Sequence, residues 1–236
     1  MFTCQALKTE RHFSAQLWQV AAVIGFAARY HVNWVLPTWS SSARFEHVAP
    51  QTAFPLHIDA VLTPANADHF DSRYLSDRWI VDLQGGFECA HHFQDSEALV
   101  RRHFEPRQSL VCEVLARYAE FLSGERICVV VAPFQVATAS IDRIEHRRVL
   151  SREALTHVRD DSIFAVMSDD PTWWDAQLFG ARVLHLPRNE IVSNFIFGLF
   201  CNDVIVIDSA FGWWMANLNR REHKRVFLLE SASESI

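Results

Sequence analysis

The sequence predicts an α/β fold whose C-terminal half is a doubly wound parallel sheet, and three observations carry that prediction. Strand-like runs recur after residue 126: ICVVVA (127–132), SIFAVM (162–167), RVLHL (182–186), DVIVI (203–207) and RVFLL (225–229). Each run is almost continuously apolar and does not alternate, as burial on both faces of a parallel sheet demands. Helix-length segments separate the later runs, at 171–180, 189–201 and 209–219. A further helix is expected over 151–158, opened by Ser151 as its N-cap. Repeated βα units of this length cross over right-handed and put helices on both faces of the sheet.

The first half is read in the same way. QLWQVAAVIGFAARY (16–30) is rich in Ala and apolar on most faces, which describes a buried helix. NWVLPTW (33–39) follows as a strand stopped by Pro37. The stretch 40–78, rich in Ser, Pro, Asp and His, is expected to be irregular, and RWIVDLQGGF (78–87) to be a strand closing on a Gly-Gly turn. Residues 95–122 read as helical, with a break near Glu105-Pro106 that separates two lobes.

Composition removes several classes of function. Half of the 236 residues are apolar and 21% are charged, so the chain can bury a sizeable core. The formal charge is −6 and no Lys/Arg stripe is present, so the electrostatic footprint of a nucleic-acid binder is missing. The five cysteines (Cys4, Cys89, Cys112, Cys128, Cys201) form no CxxC pair and are expected to be buried free thiols in a reducing compartment. MFTCQALKTERHF has no apolar core of signal-peptide length. NFIFGLFCNDVIVI (194–207) contains Asn202 and Asp203 and is too short to span a bilayer. A cytoplasmic protein without a transmembrane segment is the expectation. His91-His92 lacks an HxxxH or HExxH frame, so no metal is expected. No GxSxG elbow, P-loop or GxGxxG is present.

Ligands of open parallel sheets bind beyond the carboxyl ends of the strands. Two strand ends carry suggestive residues. SIFAVM runs into SDDPTWW, which places Ser168, Asp169 and Asp170 before a helix begun by Pro171. DVIVI runs into DSAFGWW, which places Asp208, Ser209 and Ala210 in the same layer at another helix start. Hydroxyls and free backbone N–H groups there can receive a phosphate, whereas carboxylates suit ribose, base or sugar hydroxyls. Asp and Ser in such positions also serve as plain N-caps. Trp173, Trp174, Trp213 and Trp214 are expected to fill the core between helices.

Four stretches in order resemble the α-1,2-fucosyltransferases, glycosyltransferase family eleven. SAQLWQVAAVIGFAARYHVNWVLPTW (14–39) resembles the family's GNQLFQYA helix and the strand after it. LQGGFECAHHFQDSEALVRRHFEP (83–106) is similar to GYFQSEKYF and its helix. FAVMSDDPTWW (164–174) resembles FSDD-x-x-W, and DVIVIDSAFGWWMANLN (203–219) resembles IIANSTFSWWGAWLN. Gln16, Ser168, Asp169, Asp170, Ser209, Phe211, Trp213 and Trp214 carry over by position. The departures are as definite. Ser14-Ala15 replaces Gly-Asn, VAPFQVA (131–137) replaces HxRRGDY with Pro133 and Phe134 at the basic pair, and Asp208-Ser209-Ala210 replaces Asn-Ser-Thr.

The resemblance implies a two-lobed GT-B architecture, with an N-terminal acceptor lobe over 1–106 and a Rossmann-like donor lobe over 107–236. It implies inverting, metal-independent transfer of fucose or another sugar from a GDP-sugar to a glycan hydroxyl. Partners are then a nucleotide-sugar donor and a glycan acceptor, with no further cofactor. Donor contacts fall on Gln16, Ser168, Asp169, Ser209, Ala210 and Phe211. Asp169, Asp170, Asp208 and Glu88 are the candidate general bases, none preferred over the others. Loss of the basic pair removes an expected clamp on the diphosphate. A catalytically inactive protein that keeps the fold to bind a glycan or a partner is the alternative. Arg143, Arg147, Arg148, Arg11 and Arg29 could replace the clamp, and all five are expected to be solvated surface residues.

Overall fold

The computed structural model describes residues 1–10, 12–47, 50–52, 56–70, 79–122, 126–132, 141–158 and 161–229. It divides into two compact units, Met1–Gln108 and Ser109–Ile236.

The first unit begins with β1 (Phe2–Thr3), too short to leave any periodicity in the sequence. Phe2 is nevertheless fully buried, its ring 5.9 Å from those of both Phe26 and Tyr30. Helix α1 (Phe13–Arg29) starts three residues before the apolar run expected at 16, and almost all of its length is buried. At Gly25 a Cβ would lie 2.2 Å from the carbonyl oxygen of His92, so the loop backbone packs directly on the helix. The expected strand over 33–39 contracts to β2 (Leu36–Pro37), which pairs in parallel with β3 (Gln51–Thr52). Pro37 lies inside this short ribbon, where a missing ladder N–H is tolerated. The described residues of the stretch 40–78 are less irregular than expected. They contain β3, β4 (Ala60–Leu62) and 3-10 turns at Ser42–Arg44 and Pro64–His69. Strand β5 (Val81–Leu83) lies between β1 and β4 in a parallel sheet, and Gly85 follows it at φ 107°, a left-handed turn position. The helical stretch resolves into α2 (Glu97–His103), with Pro106 bridging to Phe45 in the break after it, and then α3 (Gln108–Arg117) and α4 (Ala119–Leu122), which from Ser109 onward belong to the second unit.

The second unit is built on five parallel strands: β6 (Ile127–Ala132), β7 (Ile163–Ser168), β8 (Val183–His185), β9 (Asp203–Ile207) and β10 (Arg225–Leu229). Their order across the sheet is β10-β9-β6-β7-β8. All six residues of β6 are buried, as a central parallel strand requires. Helices α5 (Ile141–Leu155), α6 (Pro171–Gln177), α7 (Ile191–Gly198) and α8 (Ala210–Leu218) connect the strands. On one face Cys128, Val130, Phe164, Val166, Ile205 and Ile207 pack with Ala154 of α5 and Trp174 of α6. On the other, Gly212 of α8 sits so close to Val206 and Val131 that a Cβ would lie 2.6 Å and 3.1 Å from them. Alternate residues of single strands thus face helices on opposite sides, the doubly wound arrangement.

Three readings are corrected here. Helix α5 starts at least ten residues before Ser151, and Ser151 is no N-cap. Its Oγ donates to the Arg147 carbonyl at 2.7 Å, a bond back along an existing helix. Cys89 and Cys112 are exposed, while Cys4, Cys128 and Cys201 are buried, and all five thiols are free. Burial pushes the Cys4 thiol up to about 12. Trp174 and Trp214 are fully buried, as core residues should be, but Trp173 and Trp213 are only partly so. Among the described residues, no helix is long and apolar enough to cross a membrane.

Candidate functional site

The chain runs from β6 outward to β8, then returns to lay β9 on the other side of β6. That reversal makes the carboxyl ends of β6 and β9 the topological switch point of the sheet, the place where open α/β sheets receive ligands. Strand β9 delivers Asp208 and Ser209 to it.

Asp208 adopts φ 46°, in the left-handed region, which Asp tolerates better than most residues but still at some cost. A backbone bond and an ion pair help hold it there. Its N–H donates to the Leu229 carbonyl at 3.1 Å, and its Oδ2 accepts from Arg147 Nε at 3.1 Å. The ion pair is nearly sealed, with side-chain exposures of 6% for Arg147 and 13% for Asp208. Ser209 caps α8, its Oγ accepting from the Gly212 N–H at 3.1 Å. Ala210 and Phe211 form the first turn of α8, and the Phe211 ring packs 5.8 Å from Phe195.

The end of β7 supplies the second group. Ser168 Oγ accepts from the Asp170 N–H at 3.1 Å, and Asp170 Oδ1 caps α6 by accepting from the Trp173 N–H at 3.2 Å. The other oxygen, Oδ2, accepts from Arg148 Nη2 at 3.0 Å. Arg148 also donates to Glu145, and its guanidinium lies 5.7 Å from the centre of the Trp173 ring, as does that of Arg152. The bonds to Asp170, and then to Glu145, hold the Arg148 guanidinium above its ordinary value. Asp169, between Ser168 and Asp170 in the chain, is partly buried.

The structure therefore gathers Ser168, Asp169, Asp170, Asp208, Ser209, Ala210 and Phe211 in the second unit, at the carboxyl ends of β7 and β9. Gln16 and Glu88 belong to the first unit. Gln16 is fully buried: its Nε2 donates to the Glu10 carbonyl at 2.7 Å and to Ser40 Oγ at 2.8 Å, and its Oε1 accepts from Ser41 Oγ at 2.7 Å. Glu88 is exposed in the loop after Phe87.

The expectation of solvated arginines fails at Arg147, which is 5% exposed and ion-paired. Arg148 is partly buried and bonded to Asp170. Arg29 donates to the His91 carbonyl at 3.1 Å and packs over Phe26. Arg11, the Arg143 side chain, and Pro133 and Phe134 lie outside the described residues. A signal for Arg147 was present in the sequence. Arg147, Ser151, Ala154 and Val158 are all buried, and their spacing is that of one helix face. The stripe contains an arginine and a serine, which hid it from a reading based on apolar residues.

At the opposite, amino end of β9 the fully buried Asp203 accepts two hydrogen bonds from Arg126 and two from Arg225, each at 2.8 Å. Burial pulls its carboxyl upward, but the two guanidiniums outweigh that and hold it below the ordinary carboxylate range. Among the described residues, no three His, Cys, Asp or Glu side chains are grouped to hold a metal ion.

No family model matches the chain, and no curated protein resembles it in sequence. Solved structures do match. The NodZ α-1,6-fucosyltransferase of Bradyrhizobium, soaked with GDP-fucose, superposes with TM-score 0.60 at 16% identity over 92% of each chain. Arabidopsis thaliana FUT1, an R284K mutant in complex with GDP, matches with TM-score 0.57 at 10% identity, covering 99% of this chain and 71% of its own. POFUT1 matches with TM-score 0.55 at 9% identity over 97% of each chain. At these identities the likeness is one of fold: the chain is similar in structure to the GT-B fucosyltransferases.

Proposed function

We propose that the chain is a glycosyltransferase that moves fucose, or another sugar, from a GDP-sugar to a glycan hydroxyl. The observation that carries this is the grouping of Ser168, Asp169, Asp170, Asp208 and Ser209 with two arginines of α5 at the carboxyl ends of β7 and β9. The fold likeness supports it, since NodZ has been soaked with GDP-fucose and POFUT1 solved in complex with it. In this reading the second unit binds the donor and the first unit the acceptor. The finer kinship is with the α-1,2-fucosyltransferases, on the motifs at 164–174 and 203–219.

The chemistry needs two things from the protein. The acceptor oxygen attacks the anomeric carbon while the bond from that carbon to the diphosphate oxygen breaks, and its electron pair leaves with GDP. The acceptor proton passes to a carboxylate, with Asp169, Asp170 and Asp208 the candidates in this unit. Negative charge grows on the leaving diphosphate, and a guanidinium aimed at it contributes roughly 3 kcal/mol. In this reading Arg147 and Arg148 of α5 are the cations that take that role, since each bonds a carboxylate at these strand ends.

One observation favours a second reading, a non-catalytic protein of the same fold that binds a glycan or a partner. Both arginines already bond to carboxylates of the site. Calorimetric titration with GDP and GDP-fucose decides between the two. Micromolar binding, followed by transfer to an acceptor, establishes the enzyme. Absence of binding to these and to a panel of other nucleotide sugars, in folded protein, refutes it.

A further inference from the structure

We infer that the Asp208 carboxylate is a built-in anion at the carboxyl end of β9, and that it sets how much negative charge a ligand can bring to Arg147. This rests on the donor-site reading above and adds a specificity-determining residue to it.

The geometry is unusual for a simple surface pair. Arg147 projects from the sheet-facing side of α5, on the same stripe as Ser151 and Ala154, which face the core. Its guanidinium thus reaches the end of β9, where it bonds Asp208. Asp208 meets it from a left-handed backbone position at the strand-order reversal, immediately before the first turn of α8. With exposures of only 6% and 13%, the pair is poorly screened, so its mutual attraction is much larger than that of an exposed pair. A diphosphate arriving at this strand end meets a cation already paired with a carboxylate, and that carboxylate carries charge of its own sign. Binding then requires the carboxylate to leave Arg147 or to share it. Either event costs binding energy that a neutral side chain in the same place would not cost.

The Arg148–Asp170 pair is a useful contrast. Its exposures are 27% and 22%, and Arg148 has a second carboxylate partner in Glu145. Screening by water makes its charge state matter less to an incoming anion. The discrimination is therefore assigned to position 208.

The test compares the wild-type protein with Asp208→Asn, using inorganic pyrophosphate and GDP as separate titrants. Asparagine accepts the left-handed backbone and can still accept a hydrogen bond from Arg147 Nε, so the fold should tolerate it. Asp208→Ser serves as a second neutral variant. The expected result is a gain in pyrophosphate affinity of about tenfold or more, as removal of a poorly screened charge should produce. The gain should vanish in the double variant Arg147→Gln/Asp208→Asn. Pyrophosphate affinity unchanged by neutralising Asp208, a gain that persists without Arg147, or failure of both neutral variants to fold would overturn the inference. The pair would then be a structural clasp. The two readings fail separately. Equal micromolar GDP binding by wild type and Asp208→Asn supports the donor site and removes this inference. A pyrophosphate gain without any GDP binding keeps this inference and removes the donor site.

Discussion

Asp170 is held at both of its oxygens: Arg148 Nη2 donates to Oδ2 at 3.0 Å, while Oδ1 caps α6 through the Trp173 N–H. Its structural and chemical roles can be separated because asparagine caps a helix about as well as aspartate does. Asp170→Ala is expected to cost about 1 kcal/mol of stability, read as a lowered denaturant midpoint. The double variant Asp169→Asn/Asp170→Asn is expected to hold its thermal midpoint within a few degrees and to lose transfer by about 100-fold or more. Transfer at full rate would make both carboxylates structural.

Asp203 should govern acid stability. Its folded carboxyl lies below the ordinary range, so the native state favours the charged form more than the unfolded chain does. The resulting stabilisation is fully present above the unfolded value, about 3.9. It is lost as pH falls through the folded value. Asp203→Ala leaves Arg126 and Arg225 without their shared partner and is expected to cost about 3–5 kcal/mol at pH 7. The difference between variant and wild type should shrink in unfolding measurements carried below pH 4. A constant difference would show that packing, and not ionisation, is responsible.

Gly212 is required by close approach. A Cβ there would sit 2.6 Å from Val206 Cγ1 and 3.1 Å from Val131 Cβ, both on β-branched side chains of buried strands. Gly212→Ala is expected to destabilise the second unit by about 1–3 kcal/mol. It should also weaken nucleotide binding, because Ser209 caps this same turn. Unchanged stability together with unchanged binding would mean that α8 can lift off the sheet freely.

Gln16 ties α1 to Glu10, Ser40 and Ser41 in the first unit. Gln16→Ala strands these partners in a buried setting, at about 1–3 kcal/mol for each group left unsatisfied. Chemical denaturation is expected to show the loss. A fall in GDP affinity in protein that remains folded would give Gln16 the donor-contact role that its motif suggests.

Much of the second unit was legible from residue order alone. Buried parallel strands need continuous apolar runs, and ICVVVA, DVIVI and RVFLL coincide with β6, β9 and β10 residue for residue. The Ser168–Asp170 and Asp208–Ala210 positions followed from the same pattern, because a strand end before a helix start is a local event. The sequence alone therefore determined the fold class, the strand positions of the second unit to within a residue at either end, and which residues stand at those strand ends. Tertiary structure decided what those residues touch. The two-residue strand β1 exists only because β5 and Phe26 receive Phe2, so no local signal could mark it. Ser151 looked like a cap because short polar side chains bond to the backbone in several settings, and only the presence of α5 upstream selects among them. Arg147 and Asp208 lie 61 residues apart, and their pairing depends on the return of β9 to the side of β6. Charge pairing acts through space, whereas burial patterns act along the chain, and this is why the strands could be read and the ion pair at their ends could not.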